Sequence, residues 1–277
     1  MNAAYNNSQG FSFDGIDTFF IADTENHLIR KFNINTRQTQ NICGTPGLRG
    51  WQNSDHVEVW GPVQNNTPID TAYDGTRYVY FTDSHNSQIK VIDLQRGYYV
   101  TTLEIMYFFG AQIKENTQTP MGIIHVGINT IYYTDKDAKF IKKVVLGQPN
   151  IASNFVENLN NPYGIDYDGS NFLYVSEHLL NKFIKIDITN GSYVTLNTTG
   201  LSINRPTHFT YYNNRLYFGD EDHQIKELDL STNIVRAITG IAGQQGFADD
   251  YERFTNSMFD LRLVTPNTGF PTISFVS

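Results

Sequence analysis

Four histidines recur in short polar stretches that resemble one another, and imidazole is a common metal ligand. His27, His85, His178 and His223 each follow an apolar run that ends in an acid, and each precedes apolar and basic residues. Equivalent positions in successive repeats are distributed around a structure, so such side chains do not converge on one ion. We therefore interpret the four histidines as residues of equivalent turns, and the acids before them as turn caps that accept backbone N–H groups.

Other motifs offer little catalytic chemistry. Asp166-Tyr167-Asp168-Gly169 begins like a calcium loop, but the closing Glu of an EF-hand is missing, and Asp168-Gly169 is typical of a hairpin turn. Cys43 is the single cysteine, so an intrachain disulfide is impossible, and no His and Asn constellation accompanies it. The sequence contains neither a GxSxG motif nor a phosphate-binding P-loop. No catalytic residue is assigned.

The composition favours strands and argues against nucleic acid or membrane insertion. Aromatic residues make up 14% of the 277 residues and charged residues 17%, whereas an average soluble protein has roughly 25% charged residues. The formal net charge is −8, and contacts with phosphates or anionic lipids need a basic face. The chain as given shows no signal peptide and no apolar run long enough for a membrane helix. We expect a soluble protein, and the sequence does not indicate its compartment.

An acid-ended aromatic run occurs five times along the chain. These runs end at Asp23 (FFIAD), Asp83 (VYFTD), Asp135 (IYYTD), Glu177 (LYVSE) and Asp220 (LYFGD). Successive acids are 60, 52, 42 and 43 residues apart. Repeats of roughly 40–50 residues that contain several short strands are typical of propeller blades. Most repeats also carry Asp-Gly or Asn-Asn before the aromatic run and a further strand-like run after it, so each predicts a blade of four strands.

The first repeat resembles a known family. The stretch Asp23–Phe32, DTENHLIRKF, is similar to an NHL repeat, and the segments at 43–51 and 241–259 resemble the glycine-rich loops between NHL blades. The resemblance covers nearly the whole chain. It implies an all-β fold, with residues 1–277 forming a single NHL-type β-propeller. The expected blades are listed as follows: 10–44, 69–104, 121–156, 162–200, 206–240 and a partial blade at 258–277.

The plan is six-bladed, with five complete blades and an incomplete sixth. FDLRLV (259–264) and FPTISFVS (270–277) match the inner and second strands of a sixth blade. A half-built blade exposes an unpaired edge and apolar faces. Three explanations remain open. The chain is a piece of a larger protein, its N-terminal residues supply an irregular closing strand, or a neighbouring chain adds strands and builds an oligomer or filament.

The resemblance also defines channel candidates for a metal. Inner strands of such propellers line the axis, and six-bladed relatives of NHL propellers include metal-dependent lactonases and an amidating lyase that use these positions. The candidates here are Asp70, His125, Asp166, His208 and Asp260. The carboxylate-rich and Asn-rich set that calcium prefers is not evident among them. A metal-dependent hydrolase or lyase with a divalent metal in the channel is therefore the alternative function.

The favoured function is a non-catalytic scaffold, without a cofactor, that binds a protein partner or further copies of the chain. Trp51 and Trp60 lie in a loop between blades, where aromatic side chains can form an interaction patch. The apolar residues of the partial blade are the other interaction candidates: Phe259, Leu261, Leu263, Phe270, Ile273 and Phe275. RNA binding, which occurs among NHL proteins, is disfavoured by the net charge.

Overall fold

The computed structural model describes residues 4–54, 62–103, 117–147 and 151–244, and these form five consecutive antiparallel blades of a β-propeller. The predicted all-β propeller is confirmed. Helical structure within the described ranges is limited to single 3-10 turns. In the same ranges no helix is long and apolar enough to cross a membrane. The predicted partial sixth blade, at 258–277, lies outside the described residues.

Each blade follows the chain from an inner strand at the axis to an outer strand at the rim. Blade 1 consists of β1 (Phe11–Phe13), β2 (Thr18–Asp23), β3 (Leu28–Asn33) and β4 (Gln38–Cys43). Blade 2 consists of β5 (Pro68–Tyr73), β6 (Tyr78–Asp83), β7 (Gln88–Asp93) and β8 (Tyr99–Thr102). Blade 3 consists of β9 (Pro120–Val126), β10 (Thr130–Asp135), β11 (Phe140–Val145) and β12 (Ile151–Val156).

The last two described blades have the same plan with one addition. Blade 4 consists of β13 (Pro162–Tyr167), β14 (Phe172–Glu177), β15 (Lys182–Asp187) and β16 (Tyr193–Thr195). The connector that follows contributes β17 (Thr199–Gly200), which pairs in parallel with the outer strand of blade 5. Blade 5 then consists of β18 (Phe209–Tyr212), β19 (Arg215–Gly219), β20 (Ile225–Asp229) and β21 (Ile234–Thr239).

The cores of the propeller lie between neighbouring blades. Successive side chains of a strand point to opposite faces of the sheet. In β6, Phe81 packs against blade 1, whereas Tyr80 packs against blade 3. Both are buried. Because both faces of the blade are covered, its second strand reads as a continuous apolar run rather than an alternating one. Burial of each such aromatic side chain contributes about 1.5–3 kcal/mol to folding.

Aspartate-glycine turns join the inner and second strands. Asp168 accepts the backbone N–H groups of Ser170, Asn171 and Phe172 at 2.8–3.0 Å. Gly169 has φ +79°, a left-handed conformation that glycine adopts without steric cost. The carboxylate of the calcium-like DxDG stretch is therefore used inside a hairpin turn, as the sequence predicted.

The acid that ends each second strand binds the segment that leads into its own blade. Asp83 is buried, accepts the N–H of Asn66 at 2.6 Å and lies 2.9 Å from the Lys90 ammonium. Asp23 and Asp220 form equivalent pairs, with Arg30 and Lys226, at 2.6 Å. In each described blade a backbone N–H of the incoming segment donates to the acid, and these donors belong to the following residues: Asn6, Asn66, Gln118, Asn160 and Asn204. Each acid thus anchors the incoming chain at the start of a blade.

The N-terminal residues occupy the place of such a connector. Asn6 donates to Asp23 as Asn66 donates to Asp83, and residues 4–10 contain no assigned strand. Residues 4–10 therefore lead into blade 1 as the later connectors lead into their own blades.

Candidate functional site

Neighbouring inner strands approach closely around the axis. A Cβ atom on Gly122 would lie 2.7 Å from the Tyr163 carbonyl oxygen, and one on Gly164 would lie 2.6 Å from the Thr207 carbonyl oxygen. The strand registers place Asp70 and His208 at the positions that correspond to these glycines. The sequence therefore introduces a carboxyl group and an imidazole at two positions where other blades leave no room for a side chain.

Asp70 and His208 meet across the channel. Their Oδ2 and Nε2 atoms are 3.9 Å apart, and each side chain is 2% exposed. The two residues belong to blades 2 and 5, which are not neighbours along the ring, so the contact crosses the axis. Tyr163 of blade 4 makes a second crossing, because its hydroxyl donates to Gln9 Oε1 at 2.9 Å. Two side-chain contacts thus cross the channel at this level.

The channel carboxyl groups also bind backbone amides of the next blade. Asp70 accepts from Thr71 at 2.8 Å and from Ile123 at 3.0 Å, and burial raises its pKa well above the usual range. Asp166 accepts from Tyr167 at 2.8 Å and from Tyr211 at 2.6 Å. Burial raises the pKa of Asp166 to about 7 against the opposing effect of those amides. Each aspartate therefore links one inner strand to the next.

The remaining channel candidates do not join this pair. His125 stacks on Tyr80 of blade 2, with ring centroids 6.1 Å apart and planes nearly parallel, and burial lowers its pKa. Asp260 lies outside the described residues. In the part of the chain that the structure describes, no group of three or more His, Cys, Asp or Glu side chains could hold a metal ion.

The turn histidines do not occupy equivalent positions, and that part of the sequence interpretation was wrong. His27 and His223 end their turns in the left-handed conformation, whereas His85 and His178 lie within the preceding 3-10 turns. Asp220 accepts the N–H of Asp222 in its own turn at 3.1 Å, as expected, whereas the acids before the other three turns differ from expectation. Asp23, Asp83 and Glu177 make no side-chain cap to their own turns and bind the connectors instead.

The connector between blades 1 and 2 presents Trp51 on a firmly held backbone. The Trp51 side chain is 48% exposed. Beside it, Gly50 donates its N–H to the Asn65 carbonyl at 3.0 Å, and its own carbonyl accepts from Asn86 Nδ2 at 2.6 Å. Asn65 is buried and donates to the His27 carbonyl at 3.2 Å. This connector is therefore fastened to the turns of both flanking blades.

Sequence reasoning missed part of this connector. Leu48 is also exposed, three residues before Trp51, and the anchoring role of Asn65 was not predicted. The spacing of 16 or 17 residues between connector residues and blade acids was a signal for the neighbouring Asn66, but not for Asn65. Trp60 and the six apolar interaction candidates of the partial blade lie outside the described residues.

No protein-family model matches the chain, and no curated protein matches it. Solved structures do match. A chain of a nidogen/laminin complex is 17% identical with a TM-score of 0.63, over 83% of this chain and 78% of that one. A Bacteroides thetaiotaomicron protein of unknown function is 13% identical with a TM-score of 0.65, over 93% and 64%. Virginiamycin B lyase from Staphylococcus aureus is 14% identical with a TM-score of 0.58, over 83% and 69%. At these identities the likeness shows the β-propeller fold alone.

Proposed function

We propose that the chain is a non-catalytic, NHL-type propeller scaffold that binds a protein partner or further copies of itself. The observation that carries the proposal is Trp51, a large aromatic side chain that is nearly half exposed beside an anchored backbone. Tryptophan is enriched among the residues that dominate binding energy at protein interfaces. Because the described backbone beside Trp51 is held by hydrogen bonds of Gly50 to Asn65 and Asn86, binding there loses little conformational entropy.

The first blade supports the self-association part of the proposal. Ser12 bonds to Thr71 of blade 2, so alternation directs Phe11 and Phe13 to the opposite face of blade 1. There both rings pack against Phe19, with centroids 5.1 and 4.5 Å apart. This aromatic face suits contact with a sixth blade. In our proposal that blade includes residues 258–277 and is completed by strands of another copy.

Light scattering over a range of concentrations tests self-association directly. The full chain and a variant that lacks 259–277 are compared, each with and without Trp51→Ser. We expect the mass of the full chain to rise with concentration and the shortened chain to stay monomeric. An effect of Trp51→Ser on the assembly would assign the connector to the same interface. A full chain that stays monomeric would refute self-association and leave a separate protein partner as the form of the proposal to test.

A second function is favoured by one specific observation. Asp70 and His208 form a buried pair inside the channel, and perturbed carboxyl groups of this kind occur at catalytic sites. The matching solved structures include virginiamycin B lyase and streptogramin B lyase. The alternative proposal is a metal-dependent hydrolase or lyase in the channel. Equilibrium dialysis against Mg²⁺ and Zn²⁺ tests it, because stoichiometric binding that Asp70→Asn abolishes would favour the enzyme over the scaffold.

A further inference from the structure

Thr67 occupies an unusual backbone conformation at the end of the connector that carries Trp51. Its φ of +60° lies in the left-handed region, which β-branched residues rarely adopt. Three contacts fix this residue. Its N–H donates to His27 Nδ1 at 3.1 Å, its hydroxyl lies 2.7 Å from His85 Nδ1, and its carbonyl accepts from the Ser84 N–H at 3.3 Å. Neighbouring blades thus hold Thr67 through two imidazoles.

The contact with His27 exists for only one protonation state. A backbone amide can only donate, so Nδ1 of His27 must offer a lone pair and the imidazole must be neutral. Protonation would place an N–H group on Nδ1, directly opposite the N–H of Thr67. The bond would then be replaced by a repulsive contact between two donors.

Blade 4 contains the same contact with an acceptor that does not titrate. Asn181 ends the turn of blade 4 in the left-handed conformation, as His27 does in blade 1. Its Oδ1 accepts the N–H of Arg205 at 2.8 Å. Arg205 follows the acid-bound Asn204, just as Thr67 follows the acid-bound Asn66, and both have positive φ. The fold therefore accepts either residue type at this position, and only His27 makes the contact sensitive to pH.

Charged groups from every element around His27 affect its protonation. Burial is the largest effect and lowers its pKa from the usual 6.5. Glu25 of its own turn and Asp83 of blade 2 oppose this shift, whereas Arg49 of the connector and His85 of blade 2 reinforce it. The unfolded chain therefore binds the proton more readily than the folded chain, so the stabilisation is complete above pH 6.5 and is lost as the pH falls through the folded pKa.

We propose that His27 is a pH-operated latch that fastens the connector at Thr67 when it is neutral and releases it when it is protonated. Release frees a residue held in an unfavourable conformation, and the change reaches Trp51 through the hydrogen bond from the Gly50 N–H to the Asn65 carbonyl. This inference concerns the connector itself and does not depend on which partner the connector binds.

Hydrogen exchange at two matched amides tests the latch in the intact 277-residue chain. Protection of the Thr67 and Arg205 amides is measured between pH 8 and 5 and corrected for intrinsic exchange. For wild type we expect protection at Thr67 to fall about tenfold for each unit by which the pKa of His27 is lowered, while protection at Arg205 stays constant. In His27→Asn, which copies the blade 4 contact, Thr67 should remain protected at both ends of the range. An equal response of both amides, or an unchanged response in His27→Asn, would overturn the proposal.

Two further measurements keep the test decisive if His27→Asn folds poorly. The ring nitrogens of wild-type His27 can be observed by NMR, and a protonated Nδ1 at pH 8 would refute the latch. Trp51 and Trp60 are the only tryptophans of the chain, so a Trp60→Phe variant makes fluorescence a reporter on Trp51 alone. We expect its emission to change with the same midpoint as the His27 ring, and an emission without that transition would show that release does not reach Trp51.

Discussion

The buried ion pair between Lys90 and Asp83 offers a direct test of how the blades are held. The Lys90 ammonium lies 2.9 Å from Asp83 Oδ2, and both side chains are 0% exposed. Replacing Lys90 by Met keeps most of the side-chain volume and removes the charge. The carboxylate would keep the N–H of Asn66 at 2.6 Å and the amide of Asn86 at 2.7 Å.

The expected loss of stability follows from burial. Removing one partner of a buried ion pair costs about 3–5 kcal/mol, because the other charge stays buried without its counterion. The Gln64 carbonyl also loses the Lys90 donor, now at 2.7 Å, and a lost hydrogen bond adds about 1 kcal/mol. We therefore expect Lys90→Met to lower the free energy of unfolding by about 4–6 kcal/mol at pH 7.

The loss should shrink in acid. Burial already raises the pKa of Asp83, and Lys90 is the main opposing group. Without Lys90 this pKa rises further above the unfolded value of 3.8. A carboxyl group with a raised folded pKa contributes stability that is present at low pH and is lost as the pH rises through that pKa. Lys90→Met should therefore lose less stability at pH 5 than at pH 7.

Urea unfolding at both pH values measures these differences, and blade 4 supplies the control. Lys182 lies 3.1 Å from Glu177, but its side chain is 30% exposed. Solvent screening should limit the cost of Lys182→Met to about 1 kcal/mol or less. Equal losses for the two variants, or a larger loss for Lys90→Met at pH 5, would refute the reasoning from burial.

Three further outcomes are expected. Gly122→Ala should lower the free energy of unfolding by about 1–3 kcal/mol in urea titrations, since its Cβ would meet the Tyr163 carbonyl oxygen at 2.7 Å. An unchanged urea midpoint would show that the inner strands of blades 3 and 4 can move apart without cost. Asp168→Ala should cost about 1–2 kcal/mol by the same measurement, and Asp168→Asn should cost less because it keeps an acceptor for the turn. The carboxyl carbon of Asp166 should titrate near pH 7 by NMR, with stability lost as the pH rises through that value; a midpoint near 4 would contradict it.

Local patterns made most of the fold predictable. The turn at Asp74-Gly75 can be recognised from two residues, because the carboxylate accepts nearby amides and glycine tolerates positive φ. The acid-ended runs were recognised because both faces of each blade are covered, which gives continuous apolar runs. These features depend on residues that are close in sequence.

The role of the blade acids was not predicted, since it depends on residues farther away. The acids were interpreted as caps of the turns that follow them, whereas Asp83 binds Asn66, 17 residues earlier. The same separation of 17 occurs between Asp23 and Asn6. This regular spacing was present in the sequence and could have identified the connector anchor.

A shift of one residue explains why the basic side chain of blade 4 lies on the other face of its sheet from Lys90 in blade 2. Lys185 follows the acid Glu177 by eight residues, whereas Lys90 follows Asp83 by seven. The strand register places Ile184 at the position of Lys90, and Lys185 lies on the opposite face over the Phe172 ring at 3.8 Å. Because side chains alternate along a strand, an offset of one residue changes the face and the environment completely.

The arrangement of anchors indicates where function can vary in this fold. The acid at the end of each second strand fixes the start of the same blade, so connectors can change without disturbing the core. The segment between blades 3 and 4 spans only 157–161, whereas the one between blades 1 and 2 spans 44–67 and contains both tryptophans. Loops that a rigid frame positions are where binding residues concentrate. Because two side-chain contacts cross the channel and the long connector carries an exposed Trp51, we propose the connector rather than the channel as the functional surface.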